Sequence, residues 1–162
     1  FVTVRDSVLR THTWNVAVTR ATLARDTNPP SFGFTHQYSL PTDPYCLRVL
    51  SFWNSNVNND VAAYDSNVMF KIEGRKVLSN EGACSIIYIS RVTDTEQYDS
   101  LLSSTIAHKL ASETAYAITG SNALAQSMYG LYQARLSEAR SMDALEGYPE
   151  QLQADTYTNA RF

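Results

Sequence analysis

A single glycine separates two long helical patterns in the last third of the chain, and this arrangement restricts the fold more than any other feature. In the first pattern, apolar residues recur mostly every four residues, as on one face of an α-helix, and Thr119 and Gly120 end it. Ser121 can cap the second helix, which runs to about Leu145. Two long helices joined so closely are expected to fold back on each other as an antiparallel hairpin.

The apolar residues of the two helices predict their buried sides. On the first helix, of about 22 residues, the buried side is predicted to contain Leu102, Ile106, Leu110, Ala117 and Ile118. On the second helix it is predicted to contain Leu124, Met128, Leu131, Ala139 and Met142. The acidic cluster Asp94, Glu96 and Asp99 is interpreted as helix-capping and helix-dipole residues.

The start of the chain also has helical spacing. Residues 1–11 place apolar side chains on one face, and residues 18–24 are predicted to be a second helical stretch. Pro29 and Pro30 end this region, because prolines cannot donate backbone hydrogen bonds. Because Phe1 already reads as the middle of a helix, the natural chain is expected to begin earlier.

The middle of the chain has the pattern of closely spaced strands. The predicted strands lie within 32–40, 47–53, 68–73, 76–78 and 84–92. The Asn-rich segment 54–65 predicts a long exposed loop or hairpin tip, and Gly74 predicts a tight turn. Short turns between strands favour an antiparallel sheet.

Together these patterns predict an α+β protein, namely an antiparallel α-helical bundle with an inserted antiparallel β-sheet and an extended C-terminal arm. Residues 1–146 are predicted to form one domain, with helices in 1–25 and 95–146 and the β insertion in 31–92. Residues 147–162 are polar and without period, so they are either a mobile tail or an arm that orders on a partner. The predicted anchors of this arm are Tyr148, Leu152, Tyr157 and Phe162.

Charge and composition indicate which partners the chain can have. Its net charge is −3 without a block of like charges, so nothing resembles a basic stripe for gripping nucleic acid. No apolar run approaches the length of a membrane span. Charged residues make up 18%, and uncharged polar residues and ten tyrosines take their place. Such a surface suits contact with other proteins, although composition alone favours a neutral surface without special meaning.

Residues that could carry chemistry are scattered. His12, His36 and His108 lie far apart in sequence, and no metal-binding or phosphate-binding motif is present. Cys46 and Cys84 lie in apolar runs and are predicted to be buried free thiols, with a disulfide as the alternative. The sequence therefore predicts no catalytic, metal-binding or cofactor-binding residue and no enzyme. The alternatives are a small hydrolase that uses His36 or His108, and a nucleic-acid-binding module.

Several pieces of sequence, in a fixed order, carry a resemblance to one family. They are Val8-Leu9-Arg10-x-x-x-Trp14-Asn15-x-Ala17 with Arg20-Ala21-x-Leu23-Ala24; Pro30-x-Phe32-Gly33-Phe34 with Tyr38-x-Leu40-Pro41-x-Asp43-x-x-x-Leu47-Arg48-Val49-Leu50; Phe70-x-Ile72-Glu73-Gly74-Arg75-x-Val77-Leu78; and Tyr88-Ile89-x-Arg91-Val92-Thr93-Asp94, then the Leu110-Ala111 helix ending Ile118-Thr119-Gly120-Ser121. The chain resembles the head-to-tail adaptor of short-tailed bacteriophages, the tail tubular protein A family. The resemblance covers about residues 4–144, and Thr13 stands where the family often has proline.

The resemblance implies a virion structural protein located at the portal vertex of the tail and made in the host cytoplasm. It implies a ring of twelve copies that joins the portal to the tail nozzle, a protein similar to tail tubular protein B, with tail fibres as a further candidate partner. Genomic DNA would pass through the lumen without specific binding, and no membrane is involved. The C-terminal arm would dock on the portal.

Overall fold

The computed structural model describes residues 1–53 and 69–146. Its helices are α1 (Val2–Thr11), α2 (Ser100–Thr119) and α3 (Asn122–Leu145). Its strands are β1 (Val18–Leu23), β2 (His36–Ser39), β3 (Cys46–Trp53), β4 (Phe70–Glu73), β5 (Lys76–Ser79) and β6 (Cys84–Ser90). Within these described ranges, no helix combines the length and the hydropathy that crossing a membrane requires.

The predicted fold class is wrong. The described residues form a small α+β domain with three helices and two three-stranded antiparallel sheets, and not a helical bundle with an inserted sheet and a long arm. The strand orders are β1-β6-β3 in the first sheet and β2-β5-β4 in the second sheet. The difference arises because the strands build half of the core themselves, whereas the helices cover only the first sheet. Residues 147–162, the predicted arm, lie outside the described residues.

The helix predicted over residues 18–24 is also wrong, because these residues form β1. This strand pairs antiparallel with β6, from Val18 opposite Ile89 to Leu23 opposite Cys84. Its β-branched residues, such as Val18 and Thr19, suit an extended chain better than a helix. The backbone pairing with β6 therefore decides the conformation of a segment whose apolar spacing is ambiguous.

The first core cluster joins the helices to the first sheet. Trp14 is fully buried, and its ring nitrogen donates a hydrogen bond of 3.0 Å to the backbone oxygen of Val8. This hydrogen bond satisfies the polar atom of a large buried ring, which would otherwise cost stability. The buried members of this cluster are Val8, Leu9, Trp14, Ala17, Ile89, Val92, Leu102, Ile106, Tyr132, Leu136 and Ala139.

The second core cluster lies between the two sheets. Strand β6 contributes to both clusters, since Tyr88 packs in the second and Ile89 in the first. This follows from the alternation of side chains along a strand. Gly74 has φ +58° in the two-residue turn between β4 and β5, a conformation that glycine adopts easily. The buried members of the second cluster are Leu23, Tyr38, Leu40, Cys46, Phe52, Val77, Cys84, Ile86 and Tyr88.

The predicted helical hairpin and its caps are confirmed. Asp99 accepts a hydrogen bond of 2.6 Å from the backbone N–H of Leu102 and begins α2. Gly120 ends α2 in the left-handed conformation, and its N–H donates to the backbone oxygen of Tyr116 at 2.8 Å. Ser121 then caps α3. Asp94 caps the short 3-10 turn Thr95–Gln97, which explains the acidic cluster as local structure.

Candidate interaction surface

Helix α3 buries a different side from the one its sequence predicts. Tyr132, Leu136, Ala139 and Asp143 are the buried residues. Of the predicted set, Ala139 is buried and Met128 is half-buried, whereas the other three side chains are exposed. On α2, Leu102 and Ile106 are buried as predicted, Leu110 is half-buried, and Ala117 and Ile118 are exposed.

Four exposed apolar residues of α3 lie along one side of the helix, in two groups with the exposed ion pair of Arg135 and Glu138 between them. Leu131, Met142 and Leu145 follow Leu124 by seven, eighteen and twenty-one residues, which are close to whole numbers of turns at about 3.6 residues per turn. Their exposed fractions are 38% for Leu124, 45% for Leu131, 50% for Met142 and 76% for Leu145. We call these four residues the apolar stripe of α3.

The tip of the hairpin adds further exposed apolar area. Tyr116, Ile118 and Tyr129 are each at least half exposed. None of the described residues from 107 to 131 belongs to either core cluster. Single exposed apolar residues are normal, whereas seven large ones on one helical hairpin favour an interaction site. The hairpin is therefore the main candidate interaction surface.

The two helices of the hairpin are tied together near its middle. Lys109 on α2 lies over the rings of Tyr132 and Tyr129 on α3, with its Nζ 5.1 and 5.7 Å from the ring centroids. The same Nζ is 3.1 Å from a carboxylate oxygen of Glu113. Cation–π contacts of this kind fix the relative position of the helices, so the apolar stripe is presented on a stiff element.

One polar network anchors the C-terminal end of α3 to the segment after α1. Asp143 is buried, and its two carboxylate oxygens contact the His12 Nε2 at 3.0 Å and the backbone N–H of Asn15 at 3.0 Å. The Asn15 side chain donates to the backbone oxygen of Asp143 at 2.9 Å. Sequence reasoning missed this group because its members are 128 or more residues apart. With both oxygens engaged, the network fits a structural role.

The other histidines have local surroundings. His108 on α2 contacts the backbone oxygen of Ser104 through Nδ1 at 2.8 Å, and the side chain of Ser104 at 3.4 Å. His36 lies on β2 opposite Ser79 of β5. The described residues contain no group of three or more potential ligands that could hold a metal.

Both cysteines are buried free thiols, which confirms the favoured prediction. They belong to the second core cluster. Burial raises the pKa of Cys84 to about 12. Burial also raises the pKa of Cys46, and the Arg75 guanidinium acts in the opposite direction. Neutral thiols in an apolar core pack as small apolar groups.

The predicted arm anchors Tyr148, Leu152, Tyr157 and Phe162 all lie outside the described residues, as does the Asn-rich segment 54–65. No protein-family model matches the chain, and no curated protein matches it significantly.

Proposed function

We propose that the protein is a virion structural protein, a head-to-tail adaptor subunit that assembles into a ring between portal and tail nozzle. In this proposal the apolar stripe of α3 is the surface that packs against a neighbouring subunit. The ring encloses a channel for DNA.

The observation that carries the proposal is that apolar residues of α3 with the spacing of a buried helix face are exposed to solvent. Leu124, Leu131 and Met142 recur with helical spacing, as residues of a buried face do, yet all three are exposed in the single chain. An apolar face that the fold itself leaves uncovered is the expected feature of a chain that packs against other chains. A closed ring provides such contacts, because each subunit meets its neighbours through two different surfaces.

The residues of the resemblance support the proposal at the level of the fold. In the first piece, Val8, Leu9, Trp14 and Ala17 are all fully buried in the first core cluster. In the last piece, Gly120 and the capping Ser121 form the hairpin turn. These positions determine how the chain folds, so the ordered match favours a shared architecture more than a shared chemistry.

The hydrolase alternative receives little support from the described geometry. A histidine base requires a nucleophile and an orienting partner within hydrogen-bonding distance. His108 instead contacts its own helix, and the two carboxylate oxygens of Asp143 are engaged by His12 and by the Asn15 backbone N–H.

Electron microscopy of tagged particles tests the proposal. Particles that carry an epitope tag on this chain are imaged with a gold-labelled antibody, and the vertex is then averaged. We expect label at the portal vertex and a symmetric ring between portal and nozzle. Label elsewhere on the particle, or a connector built from another protein, would refute the proposal.

The role of the C-terminal arm is tested separately. Deletion of the residues after Tyr148 is expected to leave the thermal unfolding of the domain unchanged and to weaken binding to the portal. Tyr157 and Phe162 are proposed as anchors because aromatic side chains dominate the energetics of interfaces. Portal binding that equals that of the full chain would remove the arm from the proposal and leave the ring intact.

A further inference from the structure

A cavity of about 410 Å³ is lined by four arginines, namely Arg10, Arg48, Arg75 and Arg91. It lies where the end of α1, the strand β3 and the turn between β4 and β5 meet. No acidic side chain is among its described lining residues. Such a concentration of positive charge stands out in a chain whose net charge is −3.

Two of these arginines are held in place before any ligand arrives. Arg75 donates to the backbone oxygens of Cys46 at 3.2 Å and Pro41 at 2.6 Å. The guanidinium carbons of Arg75 and Arg91 lie 3.9 and 4.2 Å from the centroid of the Tyr45 ring. One tyrosine therefore positions two like charges, and this preorganisation lowers the cost of binding an anion.

The other two arginines are available for a ligand. Arg48 has a buried Nε without a hydrogen-bond partner among the described residues. Arg91, although its ring contact holds it in place, has an unpartnered buried Nε as well. Arg10 is exposed in the last turn of α1, where its charge also complements the helix dipole. A buried N–H group without a partner is costly, so a ligand that accepts a hydrogen bond from it gains stability.

Within the part of the chain that the structure describes, carboxylates balance the charge of this region only in part. Arg91 pairs with Asp6 at 2.7 Å, and Asp6 also pairs with Arg5 at 2.9 Å. One carboxylate thus serves two arginines, so the surroundings of the cavity retain a surplus of positive charge. A ligand that balances it needs several negative charges within a small volume.

We propose that this arginine cavity binds a compact polyanion through its phosphate groups. The guanidinium group donates parallel hydrogen bonds that match phosphate oxygens, and a polyphosphate concentrates several charges in one small molecule. The volume lies in the range of small-molecule sites, about 300–1,000 Å³. A concave site suits a small ligand better than duplex DNA, whose phosphates require an extended basic surface. This inference goes beyond the proposed adaptor function and does not depend on it.

Calorimetric titration of the purified chain with inorganic pyrophosphate tests the proposal. We expect one binding site per chain, with affinity reduced about tenfold in Arg48→Gln, which removes one charged donor. Arg10→Gln is expected to reduce the affinity as well. Arg20→Gln is the matched control, because Arg20 is an exposed arginine on β1, at the opposite edge of the same sheet from β3. This control removes the same charge and should leave the affinity unchanged.

Several results would overturn the assignment. These are the absence of a binding heat, an equal loss of affinity in Arg20→Gln, and citrate binding as tightly as pyrophosphate. Binding of a short DNA duplex that pyrophosphate cannot displace would also overturn it. Thermal unfolding of each variant checks its fold. The Arg10 side chain is exposed, so Arg10→Gln should not disturb the fold. This variant therefore still tests the proposal if Arg48→Gln unfolds.

Discussion

Asp143 is the residue through which the end of α3 is attached to the rest of the domain. Its carboxylate accepts a hydrogen bond from the Asn15 backbone and contacts His12, and its own backbone oxygen accepts from the Asn15 side chain. The side chain is almost inaccessible, with 7% of its surface exposed. A buried carboxylate with these contacts is costly to remove, because its partners lose hydrogen bonds that the fold provides.

We therefore predict that Asp143→Ala lowers the free energy of unfolding by about 1–3 kcal/mol. Urea denaturation measures the change. The control is Glu138→Ala on the same helix, which removes an exposed carboxylate paired with Arg135 and should change stability by less than about 1 kcal/mol. Equal effects of the two substitutions would contradict the anchoring role of Asp143.

A second residue-scale prediction concerns the thiol of Cys84, whose pKa burial raises from 9.0 to about 12. Because the folded state keeps its proton more tightly, this residue contributes stability below pH 9 and loses it as the pH rises toward 12. The unfolding midpoint should fall less steeply over that range in Cys84→Ala than in the unaltered chain. Burial raises the pKa of Tyr38, and Cys84 adds to that rise, so the substitution also lessens the contribution of Tyr38 in the same direction. Identical slopes would refute the prediction.

At the scale of elements, the turn of the hairpin depends on glycine at one position. Gly120 has φ +67°, a conformation that places a Cβ atom close to the following carbonyl. Gly120→Ala is predicted to cost about 1 kcal/mol. Gly130→Ala is the matched control: this glycine lies inside α3, and an added Cβ would meet nothing within 4 Å. It should raise stability by up to about 1 kcal/mol. Thermal or urea unfolding measures both changes, and equal signs would contradict the argument.

Elements with strong local signals could be predicted from the sequence, and elements that depend on distant pairing could not. The hairpin was predictable because Asp99, Gly120 and Ser121 are local caps. Strand β1 was mispredicted because its apolar spacing also fits a helix, and only β6, more than sixty residues later, decides between them. Likewise, the spacing of apolar residues on α3 identified an apolar face. Whether that face is buried or exposed depends on how the helix packs against the sheet.

At the scale of the whole molecule, the groups that matter for a site combine segments that the sequence separates. The arginine cavity brings together residues of α1, β3, the β4–β5 turn and the segment after β6. The net charge of −3 did not predict this cavity, because a net charge sums over the whole chain and does not report local clusters. A local concentration of charge becomes visible only when the topology places the arginines side by side.

The assembly surface yields a prediction at the same scale. Leu131→Asp places a charge in the apolar stripe of α3, so we expect the amount of chain incorporated at the portal vertex to fall at least tenfold. Because Leu131 is already 45% exposed, the isolated chain should keep its stability within about 1 kcal/mol. Gln133→Asp, an exposed position about half a turn away on α3, serves as the control and should assemble normally. Normal incorporation of Leu131→Asp would show that the stripe is not the interface.

The strand order of the first sheet has a consequence for synthesis on the ribosome. Strand β6 lies between β1 and β3 and is the last of the three to be translated. The two outer strands therefore have no pairing partner in this sheet until β6 is made. Until residue 90 has left the exit tunnel, their backbone edges remain open to other nascent chains. We infer that the emergence of β6 lets these edges pair within the chain, whereas the apolar face of the sheet stays open until the helical hairpin covers it.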